Sequence, residues 1–343
     1  MGTGNWCLSR PPGRTPARQP DRRLGVLNRI KTRLMSAADP IAPTKPARGW
    51  ITDQPYLLLG ITALCWAGNA IVGRIAAGHI PPVTLSFLRW AFAFLLILPF
   101  TWKQFRQDWP AIRARLPLML LLSITGIGAF NTLQYWSLEY TEALNTLVLQ
   151  SSGTLIVAIW SSLLLRVHLT LAQAFGVLLS LGGVLVIISK GDLSTLSQIT
   201  FNKGDLIFLA AMVVFGFYSV LTVKRPPIHG LSFVTFTFGC GAASLIPLLL
   251  WELHARPLMA LDTKNLLSLL YVAVFPSTVA YLCYNRGVLL IGANRAAPVL
   301  HVVPVLGSVM AFVFLGERPH LFHLIGFLLV LAGVFVASRK QAT

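Results

Sequence analysis

The chain has 343 residues, of which 55% are hydrophobic and 11% charged, and its mean hydropathy is +0.70. A soluble domain carries about 25% charged residues. The chain lacks the charged skin of a soluble enzyme, the polarity of a disordered protein and the cysteine density of a disulfide scaffold. What remains is an all-α polytopic membrane protein. A formal net charge of +17 taken alone suggests nucleic acid or anionic lipid.

Residues 1–54 read as a basic cytoplasmic tail. Ten basic residues precede Trp50: Arg10, Arg14, Arg18, Arg22, Arg23, Arg29, Lys31, Arg33, Lys45 and Arg48. Asp21 and Asp39 are its only acids. The stretch is Pro-rich with no sustained apolar run, which predicts disorder. No apolar h-region follows the basic stretch, so it does not read as a secretory signal. Two readings stay open for its start: an organelle transit peptide, or translation beginning at Met35.

After Pro55 the chain falls into apolar blocks separated by short polar breaks. A helix crossing a bilayer core of about 30 Å needs about 20 apolar residues. Ten blocks qualify: 55–75, 83–102, 117–138, 143–165, 170–188, 205–223, 231–251, 265–286, 294–315 and 320–338. Lipid leaves backbone groups no outside partner, so the spans are helices. With the tail in the cytoplasm, one side holds Lys103, Arg106, Arg113, Arg115, Arg166, Lys224, Arg225, Arg286, Arg295, Arg339 and Lys340. The other holds Arg74, Lys190, Lys203, Arg256, Lys264 and Arg318. Eleven against six places both termini in the cytoplasm and the chain in the cytoplasmic (inner) membrane.

A shift of 150 residues lays "GVLLSLGGVLV" (176–186) over "GFLLVLAGVFV" (326–336), with seven identities in eleven. Two repeats follow, 55–190 and 205–338, of five helices each. Five is odd, so the second repeat enters the membrane from the opposite side. This inverted-repeat arrangement is common in secondary transporters. Blocks five and ten carry small residues at matching places: Gly176, Ser180 and Gly183, then Gly326, Gly333 and Ala337. They suit close packing within each half, or a homodimer face.

The second half reads "YNRGVLLIGANRAAPVLHVVPVLGSVMAFVFLGERPHLFHLIGFLLVLAGV" (284–334). Its G-A-x-R-A-A entry, Pro304 and the L-G-E at 315–317 strongly resemble the EamA-type branch of the drug/metabolite transporter superfamily. The first half carries a diverged copy in "WAGNAIVGR" (66–74), "LRW" (88–90) and "NTLQYWSLEYTEALNTLVLQSS" (131–152). The resemblance covers about residues 55–338. It implies ten helices, a central cavity and export of amino acids or other metabolites. The first half departs from the pattern with Arg166-Val167 where the second has Gly316-Glu317. Glu317 therefore reads as holding a helix end or pairing with Arg318.

None of the eleven acids sits mid-span. Intramembrane carboxylates commonly serve as proton and cation sites, so a cationic-metabolite or multidrug exporter is the weaker reading. Proton coupling would have to use His301 or a boundary acid, Glu139, Glu142 or Asp205. Arg89 lies about seven residues into block two, roughly 10 Å deep, where it meets a substrate carboxylate, snorkels, or caps broken-helix carbonyls. His301 either lines a cavity or bonds a neighbouring helix.

Uncharged polar residues form a paired stripe. Asn131, Gln134 and Tyr135 share one face of block three, and Tyr281, Tyr284 and Asn285 one face of block eight. Asn69, Asn145, Gln150 and Tyr218 complete the candidate substrate cavity, with interhelical bonding as the plain alternative. Helix breakers fall in register: Gly126 and Gly128 match Pro276, and Gly153 matches Pro304. Such interruptions point to a substrate region or to ordinary kinks.

Cys7, Cys65, Cys240 and Cys283 have no metal or redox spacing. His320 and His323 lack a third ligand and read as interfacial. No phosphate loop or nucleic-acid module is present, and no cofactor or metal is expected. A membrane-embedded enzyme or scaffold would be the reading of another class, but no carboxylate pair or Ser-His pair supports catalysis. The favoured reading is a secondary transporter whose partners are a small-molecule substrate and the bilayer.

Overall fold

The computed structural model describes residues 53–165, 171–189, 191, 202–257, 259–291, 296 and 299–338. Residues 1–52 of the basic tail, Met35 among them, and Arg166, Lys190, Arg295, Arg339 and Lys340 lie outside the described residues. Among the described residues the secondary structure is all helical. The helices are α1 (Pro55–Ala76), α2 (Pro82–Ala114), α3 (Leu116–Ser137), α4 (Ala143–Gln150), α5 (Gly153–Leu165), α6 (Leu171–Ile188), α7 (Lys203–Thr222), α8 (Gly230–Ala255), α9 (Thr263–Ile291), α10 (Val299–Met310, continued by a π turn at Ala311–Leu315) and α11 (Leu321–Ser338). Six of them are long and apolar enough to cross a membrane, or seven if α4 and α5, bent by 46° at their junction, count as one span. Shorter apolar helices cover Ala174–Ile187, Val302–Leu315 and Leu321–Gly333.

The sequence predicts a polar break after residue 102, yet α2 continues unbroken to Ala114. Trp102, Phe105 and Trp109 follow one another along this extension, with ring centroids 6.3 and 5.8 Å apart. Aromatic residues of this kind favour a membrane–water interface. Pro99 and Pro110 sit inside the helix, where each removes one backbone bond without ending it.

The halves interdigitate. Helix α1 packs on α9 and α10, α2 on α8 and α9, α3 on α7 and α8, and α5 on α7. Exchange the halves and these contacts map onto one another: α1–α9 becomes α7–α3, and α1–α10 becomes α7 with the α4–α5 pair. Helix α6 packs on α11 through its small residues. A Cβ on Gly183 would lie 2.7 Å from the Gly326 carbonyl oxygen, and one on Gly333 would strike the Gly176 carbonyl and the Ser180 backbone. The small faces that the sequence divided between packing within a half and a face between chains thus meet across the two halves of one chain. Ala337 lies outside the described side chains.

Two helices carry matching defects. A π turn spans Ile124–Ala129 in α3 and another spans Ala273–Val279 in α9, almost 150 residues apart. The first contains Gly126 and Gly128, the second Pro276. Gly126 abuts the Tyr218 ring, and a Cβ on Gly128 would lie 2.9 Å from Ser244 Oγ. Gly153 opens α5 after the bend, and Pro304 lies inside α10.

Candidate functional site

Arg89 points inward from α2 and is 3% exposed. Its Nε donates to Ser277 Oγ at 2.6 Å. Its Nη1 faces Tyr135 Oη at 2.6 Å, Asn69 Oδ1 at 2.9 Å and Asn131 Oδ1 at 3.1 Å. Tyr135 in turn donates to Asn69 Oδ1 at 2.7 Å. Helices α1, α3 and α9 therefore converge on one guanidinium, and every partner is neutral. The Arg89 Cζ also stands 4.4 Å over the Trp90 ring and 5.8 Å over that of Tyr135.

Both π turns serve this centre. Pro276 has no N–H to give the Val272 carbonyl, and Ser277 Oγ takes it at 2.7 Å. Ser277 thus donates into its own helix and accepts from Arg89. Trp66 Nε1 donates to the Pro276 carbonyl at 3.1 Å. Asn131 stands two residues after the other π turn, with Nδ2 at 3.5 Å from the carbonyls of Gly126 and Ile127. Local π geometry is frequent at functional sites because it releases carbonyls for such uses.

An aromatic wall adjoins Arg89. Trp90 packs on Phe238, centroids 4.6 Å apart, and edge-on to Tyr281 at 6.3 Å. Tyr281 meets Trp66 at 6.0 Å, and Trp66 meets Tyr284 at 5.4 Å. Asn285 donates to the Tyr281 carbonyl in its own helix. Of the residues singled out in the sequence, Asn69, Arg89, Asn131 and Tyr135 are joined by bonds, and Tyr281 and Tyr284 form the wall. Gln134 is buried in α3 and Gln150 closes α4, but no bond ties either to Arg89. The side chain of His301 lies outside the described residues. Ser277, Trp66 and Trp90 were missed; the adjacency of Ser277 to Pro276 was the available signal.

A second polar region closes one end of the bundle. Glu252 accepts from Val83 N (3.1 Å), Thr84 N (2.7 Å) and Thr84 Oγ1 (2.9 Å) at the start of α2. Gly316, at φ +68°, turns the chain after α10 in the left-handed region. Glu317 then accepts from Ala143 N (3.0 Å) and Leu144 N (2.8 Å) at the start of α4. Glu317 therefore holds a helix end, and that end belongs to the other half. Burial pushes its carboxyl above the usual carboxylate range, opposed by the two amides and Arg74 and aided by Glu142. Arg256 grips Glu139 at 2.5 and 3.1 Å, which raises the already high guanidinium pKa through that bond.

Asn145 belongs to this end. It donates to Thr141 Oγ1 at 3.1 Å, and Thr141 donates to Asp205 Oδ1 at 2.6 Å. His323 lies 2.8 Å from Asn145 Oδ1 through Nε2, and its Nδ1 accepts from His320 N at 2.9 Å. His323 is 3% exposed, not interfacial as its spacing suggested, because Asn145 supplies a buried partner. A cavity of about 700 Å³ opens here, lined by Arg74, His79, Glu139, Glu142, Lys264 and Glu317 among others.

Comparison with known proteins bears on what this arrangement does. The profile of the EamA-like transporter family matches residues 54–189 and again residues 202–339. An uncharacterized transporter of Archaeoglobus fulgidus is 29% identical over 293 residues, covering 85% of this chain and 99% of its own. A probable amino-acid metabolite efflux pump of Salmonella typhimurium is 27% identical over 301 residues, covering 80% of this chain and 92% of its own. A solved crystal structure superposes with a TM-score of 0.55 at 18% identity, covering 83% of this chain and 96% of that one, a likeness of fold.

Proposed function

The chain belongs to the EamA-like transporter family, a multi-pass membrane transporter type, and from that premise we propose that it exports a small carboxylate-bearing metabolite, an amino acid or close relative, across the cytoplasmic membrane. The observation that carries this reading is Arg89. A buried guanidinium answered only by neutral groups keeps its charge uncompensated, and a charge in the bilayer is costly. A cargo carboxylate supplies the missing counter-charge at the junction of both halves. Among the described residues, Nη2 of Arg89 carries no protein bond, which leaves two N–H groups for that carboxylate. The amino-acid efflux pump among the relatives supports the cargo class.

The spans number ten in this reading. Six long helices, the bent α4–α5 pair and three shorter apolar helices make two five-helix repeats of opposite orientation. The exchange symmetry of the contacts supports the inversion. Both termini are cytoplasmic on the Lys/Arg bias, so the Glu317 end faces outward. The repeats rock about Arg89 in alternating access.

Proteoliposomes holding the purified chain test this. Counterflow of a radiolabelled amino acid is expected with wild type and lost with Arg89→Gln, while the variant keeps its melting temperature in detergent. No flux of any amino acid with wild type, or full flux with Arg89→Gln, overturns the proposal.

A further inference from the structure

Helix α2 is longer than a membrane needs. Its 33 residues reach about 50 Å at 1.5 Å per residue, against a hydrocarbon core of about 30 Å. The stretch from Lys103 to Ala114 continues past the apolar block.

Packing fixes which way this extension faces. Thr101, Phe105, Asp108 and Ile112 follow the spacing of one helix face, and that face turns to α8. Thr101 Oγ1 lies 2.8 Å from Thr235 Oγ1. Asp108 Oδ2 accepts from His229 N at 3.1 Å, at the start of α8. Phe105 and Ile112 pack in one cluster with Phe233. Moving each position on by one residue gives Trp102, Arg106, Trp109 and Arg113, a row turned by about 100° around the axis. All four are exposed, Trp102 by 51% and Trp109 by 42%. One face of the extension therefore alternates indole and guanidinium, directed away from the bundle.

The charge on this face is not answered within the chain. Lys103 and Arg115 are exposed beside it. Asp108 is the only acid between Trp102 and Arg115, and it is turned inward to the start of α8. Among the described residues neither Arg106 nor Arg113 belongs to an ion pair.

We propose that this face of α2 is a binding strip for the headgroups of anionic phospholipids. Indole rings settle at headgroup level, and guanidinium groups hold phosphate oxygens through paired N–H donors. Exposed cations beside a span gain about fivefold each in affinity for an anionic surface. A zwitterionic headgroup carries its own cation, so the strip discriminates by net charge. A merely solvated run of charge has no use for exposed indoles at every second place in the row. The inference goes beyond the transport reading and does not depend on the cargo.

The test uses the purified full chain in a neutral detergent. Phosphatidylglycerol and phosphatidylcholine with the same acyl chains are the probes, and native mass spectrometry counts the bound lipid. Wild type is expected to prefer phosphatidylglycerol about 30-fold, the product of two such cations. Arg106→Gln with Arg113→Gln is expected to remove that preference, leaving phosphatidylcholine binding and the melting temperature unchanged. Arg106→Lys with Arg113→Lys is expected to keep most of it. Arg318→Gln, which removes an exposed cation outside the strip, is expected to keep all of it. Equal binding of the two lipids by wild type, a preference that survives the double glutamine variant, or an equal loss in Arg318→Gln overturns the proposal. Displacement of phosphatidylglycerol by an equal concentration of inorganic phosphate also overturns it, because that marks a soluble-anion site. Should the double glutamine variant fail to fold, wild type decides alone. Its preference must collapse as salt rises from about 0.1 to 1 M and the screening length falls from about 10 to 3 Å, and a preference that persists overturns the strip.

Discussion

The middle of the bundle and its Glu317 end settle buried charge in opposite ways. At the end, three carboxylates meet donors from the other half. Glu252 closes the start of α2, Glu317 closes the start of α4, and Glu139 pairs with Arg256. In the middle, one positive charge meets only dipoles. Charges at the end are therefore structural ties between repeats, stable because helix starts carry unsatisfied N–H groups and a favourable dipole. The charge in the middle is held in place but left open to a ligand. Where a membrane protein leaves a cation without its acid says more about cargo than where it pairs them.

The largest break of that comparison is Arg89→Gln. Glutamine keeps some hydrogen bonding and removes the charge, so carboxylate flux is expected to fall about 100-fold, the loss of roughly 2.7 kcal/mol of charge-assisted binding. Arg89→Lys should rescue little, because an ammonium cannot reach Ser277 and Tyr135 as a planar fork does. Initial rates in proteoliposomes measure both.

Glu252→Ala tests the other side. It orphans Val83 N, Thr84 N and the Thr84 hydroxyl at a buried helix start. The expected cost is about 1–3 kcal/mol of stability, seen as a lower melting temperature. A transport defect without destabilisation would mean that the end is more than a tie. Tyr135→Phe acts between the two regions. It keeps the ring over which Arg89 lies but removes the hydroxyl that links Arg89 to Asn69. Loss of about 1 kcal/mol of positioning is expected to slow flux several-fold with little change in melting.

Much of the centre was legible in the sequence, for physical reasons. A cation about 10 Å deep in an apolar block must have buried partners, and Asn131 and Tyr135 stand four apart on a facing helix. Gly126, Gly128 and Pro276 marked the π turns because they weaken or remove backbone bonds at matching positions. Ser277 was signalled only by its place beside Pro276, since its role depends on which carbonyl that proline frees. The extension of α2 past residue 102 was misread because Lys and Arg signal a loop only when no apolar stripe accompanies them. Sequence similarity between α6 and α11 established that they are equivalent, not that they touch. Glu252 gave no signal at all, and Asp205 read only as a boundary acid: an acid near a helix end looks solvated until its partner from a distant segment is known.

The smallest prediction concerns the pH response of the Glu317 tie. Burial holds this carboxyl above the ordinary value of 4.5, and the amides of Ala143 and Leu144 only partly offset it. The folded chain therefore binds the proton more tightly than the unfolded chain, so stability falls as pH rises through the folded pKa. From neutral pH downward, the melting temperature should gain a small increment from Glu317, complete once the pH is below 4.5. Other acids titrate in the same window, so the measurement is the difference between wild type and Glu317→Gln across it. The amide keeps one oxygen for the α4 start but cannot ionise, and its curve should lack that increment. A difference of the opposite sign would mean that the two backbone amides outweigh burial, making Glu317 an ionised clamp rather than a reluctant one.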